Sequence, residues 1–482
     1  MTLYLNLATL LGQRIETGLY LPGQRLPSVR TLSLEHGVSL STVQQAYRVL
    51  EDLGLAVPRP KSGYFVSPTR RQMLLPASSR PAQRPVEVCQ WDQVLELMRT
   101  SSRPDTLQLG SGTPDIAAVT LKPLFSALNQ ISRRHDLAML RYDNIQGLLE
   151  LRQQVARLAL DSGCRLLPED IVITTGCHEA LSAAVRALCK PGEIMAVESP
   201  GFHGIMQTLK GANVQAIEIP TDPVTGISLE ALELALEQWP VRAILVTPSC
   251  NNPIGFTMPD ERKQRLLRLA QRFDTPIIED DIYGDLAYGY PRPSSIKSMD
   301  KEGRVLLCSS FSKTLAPGLR VGWIAPGRYL EQVLHMKYIG TGATATHTQM
   351  AVAEFIAKGF YQPHLRRVRG QYQRNRDRVI RWISQYFPED TRVSQPQGGF
   401  MLWVELSESV DTLRLNRLLT ESSIQIAVGS IFSAVGKYRN CLRINYACVE
   451  SAAMEEAIRC IAQSLNSAQT VHNCHPTSQS SG

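Results

Sequence analysis

Three short apolar runs, each spilling into a polar cluster at its carboxyl end, constrain this chain more than any other feature. Ala243-Ile244-Leu245-Val246 leads into Asn251-Asn252-Pro253-Ile254-Gly255. Pro276-Ile277-Ile278 leads into Glu279-Asp280-Asp281-Ile282-Tyr283, and Val305-Leu306-Leu307-Cys308 into Ser309-Ser310-Phe311-Ser312-Lys313. Short, unbroken aliphatic runs without polar alternation fit strands buried on both faces, as in a parallel sheet layered between helices. Such sheets carry their ligand sites beyond the carboxyl ends of the strands. An amide, carboxylates, a phenol and a lysine are therefore expected to converge.

Lys313 sets the chemistry. A primary amine among hydroxyls, with Arg320 seven residues on, suits an aldehyde phosphate: the amine forms an imine at one end while its neighbours bind the anion at the other. Ile171-Val172-Ile173-Thr174-Thr175-Gly176-Cys177-His178-Glu179 adds a strand, a glycine turn and a helix start. Backbone N–H groups at that helix N-terminus would face the phosphate. Pyridoxal phosphate (PLP) is the expected cofactor.

From about Leu107 to Asn466 the chain resembles a fold-type I PLP-dependent aminotransferase. The resemblance implies an α/β fold, with a large domain of mostly parallel sheet between helices and a smaller C-terminal α+β subdomain. It implies Lys313 as the catalytic residue holding the cofactor as an internal aldimine, and Asp280 as partner of the protonated pyridine nitrogen. A carboxylate there keeps the ring charged, so that it can accept electrons from a substrate carbanion. Asn252 and Tyr283 would bond the phenolic oxygen. Cys177, His178, Ser310, Ser312 and Arg320 would hold the phosphate, His178 standing where glutamine is more usual. Phe202 would stack on the ring, needing only its aromatic face. Arg443, in Cys441-Leu442-Arg443-Ile444-Asn445-Tyr446, has the planar fork that pairs with an α-carboxylate. Tyr142 resembles the tyrosine that reaches the phosphate from a neighbouring subunit, which implies a homodimer.

Residues 1–67 form a separate unit. Leu7, Leu10, Leu11, Ile15 and Leu19 recur at helical spacing across Leu3 to Leu19. Ser28 is a candidate N-cap for a helix through about His36, Gly37-Val38-Ser39 makes a tight turn, and Ser41 or Thr42 opens a second helix that buries Val43, Ala46, Tyr47, Leu50 and Leu53. Two short strands flank the basic tip Pro58-Arg59-Pro60-Lys61-Ser62-Gly63. This arrangement, with Pro22-Gly23-Gln24-Arg25-Leu26-Pro27-Ser28-Val29-Arg30, resembles the winged helix-turn-helix domain of GntR-type regulators. The resemblance implies double-stranded DNA as a partner. Ser39, Ser41, Thr42, Gln44, Gln45 and Arg48 would approach a groove, and Arg25, Ser28, Arg30, Lys61 and Gly63 the backbone or minor groove.

Residues 68–104 read as a linker interrupted by Pro68, Pro76, Pro81 and Pro85, with an amphipathic stretch at Trp91 to Met98 that docks on the larger unit. The aminotransferase-like unit spans 105–466, and 467–482 reads as a disordered tail with little to bury. A GntR-like reader joined to an aminotransferase-like unit is the pattern of the MocR regulators. The resemblance implies an operator-binding transcriptional regulator that senses an amine or amino acid, or PLP itself, by aldimine exchange at Lys313. An active aminotransferase using an amino acid and a 2-oxo acid acceptor is the alternative, and the residues leave turnover open.

Composition adds weaker constraints. The formal charge of +7 suits a polyanion partner. The ten cysteines are scattered singly, without paired metal spacing, so no metal site is expected and a reducing cytoplasm fits. No apolar stretch approaches the roughly 20 residues of a membrane span. The expectation is a cytoplasmic, nucleoid-associated protein.

Overall fold

The computed structural model describes residues 3–52, 54–59, 62–67, 73–100, 105–134, 140–447 and 451–472. Its first unit is three helices and a two-stranded wing. Helix α1 (Leu3–Glu16) buries Leu7, Ala8 and Leu11. The face expected to continue to Leu19 stops short: Gly18 turns the chain at φ 78°, the Leu19 N–H returns to the Arg14 carbonyl, and Leu19 is left 63% exposed. Helix α2 (Val29–His36) is capped by Ser28, whose hydroxyl accepts the Thr31 N–H at 3.1 Å, and ends at left-handed Gly37. Helix α3 (Leu40–Asp52) opens earlier than expected. Ser39, rather than Ser41 or Thr42, supplies the capping hydroxyl, accepting the Thr42 N–H at 3.2 Å.

Val43, Ala46, Tyr47 and Leu50 of α3 are buried as expected, and Leu53 lies outside the described residues. Strands β1 (Ala56–Arg59) and β2 (Gly63–Val66) pair antiparallel. Tyr47 and Tyr64 stack at 4.2 Å, tying the wing to α3.

The large domain is built on an eight-stranded sheet. Across it run Val172–Thr174, Gly322–Ala325, Val305–Ser310, Ile277–Asp280, Val241–Val246, Ile194–Ser199, Gln215–Asp222 and Gly226–Ile227. The five strands from Val305–Ser310 to Gln215–Asp222 pair parallel, and the outer ones pair antiparallel. Alternate residues feed opposite cores. Met195, Val197, Leu245, Ile278 and Leu306 pack with helices Cys177–Leu188 and His203–Gly211, while Ala196, Ile217, Ile244, Ile277 and Val305 pack with Leu229–Gln238 and Asp260–Arg272. Both faces are covered, which is why these strands read as continuous aliphatic runs.

The smaller lobe is an antiparallel sheet of Arg392–Val393, Met401–Glu405, Cys441–Asn445 and Ala427–Val428, packed against helices Tyr361–Tyr386, Thr412–Glu421 and Ser451–His472. The last helix runs through His472, past residue 467 where the tail was expected to start, and 473–482 lie outside the described residues.

The described part of the expected linker is strapped to both lobes. The Ala77 N–H reaches Glu405, Ser78 bonds Asp222 at 2.9 Å, and Val86 pairs with Ala216 on the edge of the large sheet. Buried Ser79 exchanges hydrogen bonds with Thr221 and donates its hydroxyl to the Ser199 carbonyl. Helix Trp91–Thr100 docks Val94 and Leu97 against Trp403, Ile431 and Phe432. Prolines and polar residues here form an extended strap whose backbone groups find partners on the domain beneath.

Candidate functional site

The carboxyl ends of the parallel strands open into a cavity of about 130 Å³ lined by Cys177, His178, Phe202, Asn252, Asp280, Tyr283, Ser310, Ser312, Lys313 and Arg320 among others. Ten of the twelve residues expected to hold cofactor or ligand thus share one wall system. Arg443 joins them through Asn252. Tyr142 does not: it is 99% exposed and away from the pocket of its own chain.

Lys313 follows strand Val305–Ser310, and its Nζ donates to the Gly112 carbonyl at 2.7 Å. Burial first, then Arg443, lowers this amine to about 8, while Asp280 pulls the other way. A lysine near neutrality has an appreciable free-amine fraction, the form that attacks an aldehyde. The backbone of Gly112 must come this close, since a Cβ there would sit 2.9 Å from Nζ.

Asp280 ends strand Ile277–Asp280. Its Oδ1 accepts the Ile282 N–H at 3.3 Å and lies 3.4 Å from Cys177 Sγ. Burial raises the carboxyl to about 6, so a cation at the ring position would find an anion that needs it. Among the described residues the buried Tyr283 hydroxyl makes no well-formed hydrogen bond, with Asn252 near enough to influence it. An orphaned phenol in such a cavity is a donor awaiting a ligand oxygen.

The anion end is held open by glycine. Gly176 has φ 88°, and a Cβ on it would meet the Arg320 guanidinium at 2.5 Å. Arg320 donates to the Thr175 carbonyl at 2.7 Å, and the Ser310 hydroxyl accepts the Ser312 N–H at 3.2 Å. Glu179 accepts the Thr175 N–H and stands 3.7 Å from buried Lys337, fixing the turn from behind. Sequence reading missed Glu179, although its place in the Gly176-Cys177-His178-Glu179 run is a signal.

Arg443 is buried in the smaller lobe, donating to Asn252 Oδ1 at 2.9 Å and to the Gly110 carbonyl at 2.6 Å, with Nε unpartnered among the described residues. Burial holds it down at about 10. It lies 5.1 Å over the Phe432 ring, which stacks on His203. His203 was also missed. Its Nδ1 is buried without a partner among the described residues, and burial, then Arg443, depresses it to about 3, so it is a neutral imidazole. Phe202 lies beside it, ring centroids 4.7 Å apart.

The donor set fits PLP: an amine for the aldehyde carbon, a carboxylate for the ring nitrogen, an orphaned phenol for the ring oxygen, and a glycine turn with an arginine for the phosphate. Residues 104–461 match the family aminotransferase class I and II, and residues 3–66 match the bacterial regulatory proteins of the gntR family. The chain is 54% identical to YjiR of Escherichia coli strain K12, an uncharacterized HTH-type transcriptional regulator, over 96% of this chain and 99% of YjiR. This chain belongs to the GntR-type regulators that carry an aminotransferase class I and II domain, the MocR arrangement.

As a MocR-type transcription regulator it shares its larger domain with enzymes. Its structure is similar to LysN, the α-aminoadipate aminotransferase of Thermus thermophilus, solved with N-(5'-phosphopyridoxyl)-L-leucine. The TM-score is 0.73 and the identity 27%, over 78% of this chain and 95% of LysN. It is also similar to the kynurenine aminotransferase of Pyrococcus horikoshii, at TM-score 0.72 and 28% identity over 78% and 94% of the two chains.

The exposed face of α3 presents Ser41, Gln44, Gln45 and Arg48, with Thr42 at its margin and Ser39 bonded to Ser41 and Thr42 at 2.8 Å. Arg25, Ser28, Arg30 and Gly63 are exposed beside them, and Lys61 lies outside the described residues. A Cβ on Gly63 would be 3.6 Å from the Arg25 guanidinium, so Arg25 belongs to the wing. Arg59, 4.3 Å over Phe65, is exposed on the same wing and was absent from the expected set.

Proposed function

We propose that this MocR-type regulator binds operator DNA through α3 and the wing, and that an amine or amino acid displacing Lys313 from PLP changes that binding. The observation that carries the reading is the strap: residues 73–100 follow the reader and are bonded to and packed on both lobes of the larger unit. When bound, PLP supplies an aldehyde carbon and an electron-accepting ring. Lys313 supplies the exchangeable amine. Arg443 and Asn252 orient a ligand carboxylate, and Asp280 holds a proton at the ring nitrogen. A ligand that pairs with Arg443 draws on the smaller lobe while Phe202 and Asp280 hold the larger one, so differential affinity for a closed form would shift the strap and the reader. PLP supply itself is a second effector source for the same site.

Tyr142, fully presented to solvent, is suited to a partner's phosphate site, which makes the regulator a homodimer with two readers. No described helix is long and apolar enough to cross a membrane, and a DNA partner favours a cytoplasmic, nucleoid-associated protein. Slow transamination is the alternative reading, favoured by the intact Lys313, Asp280, Tyr283 and Arg443 set.

The test is a gel shift of purified protein on its own upstream DNA at fixed salt, with and without PLP and a panel of amino acids, with spectra taken on the same samples. Sequence-specific binding that changes with the amino acid that also alters the cofactor spectrum supports the regulator. Steady turnover without specific DNA binding overturns it.

A further inference from the structure

We propose that the Cys177 thiol is the positioning group for the Asp280 carboxylate, and so serves the ring-nitrogen end of the cofactor rather than its phosphate. The proposal rests on the PLP reading above. Cys177 opens helix Cys177–Leu188, where its backbone N–H is one of the free amides at the anion end. Its side chain turns the other way: Sγ lies 3.4 Å from Asp280 Oδ1. The Ile282 N–H reaches that same oxygen at 3.3 Å. Among the described residues both donors go to Oδ1, which reserves Oδ2 for the ring.

The chemistry of sulfur suits this role. Burial first, then the charge of Asp280, pushes the Cys177 thiol well above its usual range, so it stays an S–H and donates. A thiol is a weak donor, and the Ile282 contact is long. The carboxylate is therefore oriented without being strongly neutralised and keeps its demand for the ring proton. Cys308 stands in register with Asp280 on the adjoining strand, with Ile278 and Leu306 nearby in the same buried layer, so the carboxylate sits among sulfur and hydrocarbon. The group that fixes its rotamer has to come from Cys177 and Ile282.

The experiment uses the full chain and four forms: wild type, Cys177→Ala, Cys177→Val and Cys177→Ser. Each is reconstituted with PLP carrying ¹⁵N in the ring. The readouts are the ring-nitrogen NMR shift, PLP affinity by titration, and thermal unfolding of the PLP-free protein as a check on folding. The donor-free Ala and Val forms are expected to move the ring nitrogen toward its unprotonated shift. They should weaken PLP binding about fivefold, the weight of one net hydrogen bond. Ser, which restores a donor, should return both toward wild type. Wild-type values in both donor-free forms, or a Ser form as impaired as Ala, would overturn the proposal, since the latter means that volume rather than donation matters. Failure of the PLP reading is separable, because wild type would then show no lysine-bound cofactor absorbance.

Discussion

The reader and the cofactor cavity hold their ligands by opposite physics. In the reader, the described groups expected to touch DNA are almost all exposed, and Arg30, Gln44, Gln45 and Arg48 among them carry no structural duty in the fold. Around the cavity, Asn252, Asp280, Ser310, Ser312 and Arg443 are buried and tied to one another, to neighbouring side chains or to backbone groups. A polyanion is held by displacing counterions, which needs accessible cations and tolerates the loss of one. A cofactor is held by desolvated groups fixed in advance, where each deletion strands a buried partner. Substitutions in the cavity should therefore cost much more than substitutions in the reader.

Lys313→Ala is the largest break. The variant should lose the lysine-bound cofactor absorbance entirely and with it any response of DNA binding to amines, while binding operator DNA without effector as wild type does. A parallel loss of basal DNA binding would show that the two regions are not separable. Gly176→Ala comes next. At φ 88° and 2.5 Å from Arg320, the added methyl strains the turn by about 1–3 kcal/mol. Titration should show PLP affinity falling at least tenfold, with the reader untouched.

Glu198 sharpens the contrast through pH. Its Oε2 accepts the Thr247 N–H and the Asn251 amide, each at 2.9 Å, while Oε1 is buried without a partner among the described residues, and burial raises the carboxyl to about 8. A folded-state value above the ordinary 4.5 means that the neutral form is the one that folding favours. The PLP-free large domain should therefore be most stable below about pH 4.5 as far as this group is concerned, and lose stability as pH rises toward 8. Asp280, raised to about 6, adds in the same direction over its own window of about 4 to 6. Thermal unfolding across pH 5 to 8 should fall for wild type and fall less for Glu198→Gln. Equal slopes would mean that Glu198 ionises without penalty.

Arg48→Ala and Arg25→Ala in the reader should each do less. If each arginine meets one phosphate, removing it lowers the salt dependence of log affinity by about 0.9. Cofactor spectra should stay as in wild type.

Legibility in the sequence follows the same division. Lys313, Asp280 and Tyr283 stood out in the sequence because they end or closely follow aliphatic strands, and burial on both faces makes such strands conspicuous. Glu179, Gly112 and His203 could not be found as readily, because their roles depend on what lies opposite in space: Lys337, Lys313 Nζ and Phe432 come from elsewhere in the chain. Ser41 and Thr42 read as the helix openers, and it is the turn after Gly37, which brings the Ser39 hydroxyl to the Thr42 N–H, that makes Ser39 the cap instead. The strap was the main misreading. Pro76, Pro81 and Pro85 break helices, but they do not prevent an extended segment from bonding to a sheet edge, and Thr221 and Ala216 offer that edge.

The smallest effect tests whether the two regions communicate at all. Ser79 lies in the strap with its hydroxyl on the Ser199 carbonyl and the Thr221 N–H on that hydroxyl at 2.8 Å. Three residues after Ser199 comes Phe202, and the intervening Gly201 N–H bonds the Phe432 carbonyl at 2.9 Å, beside the ring that carries Arg443. One hydroxyl thus joins the segment behind the reader to the loop that meets the cofactor ring. Ser79→Ala removes it at a cost of about 1 kcal/mol, too little to unfold the domain or empty the cavity. Cofactor spectra and effector-free DNA affinity should match wild type, while the change in DNA affinity on adding the effector shrinks by up to roughly fivefold. If the effector response is undiminished, the strap only fastens the domains, and the approach of the Arg381 guanidinium to Gly54 of the reader becomes the next contact to test.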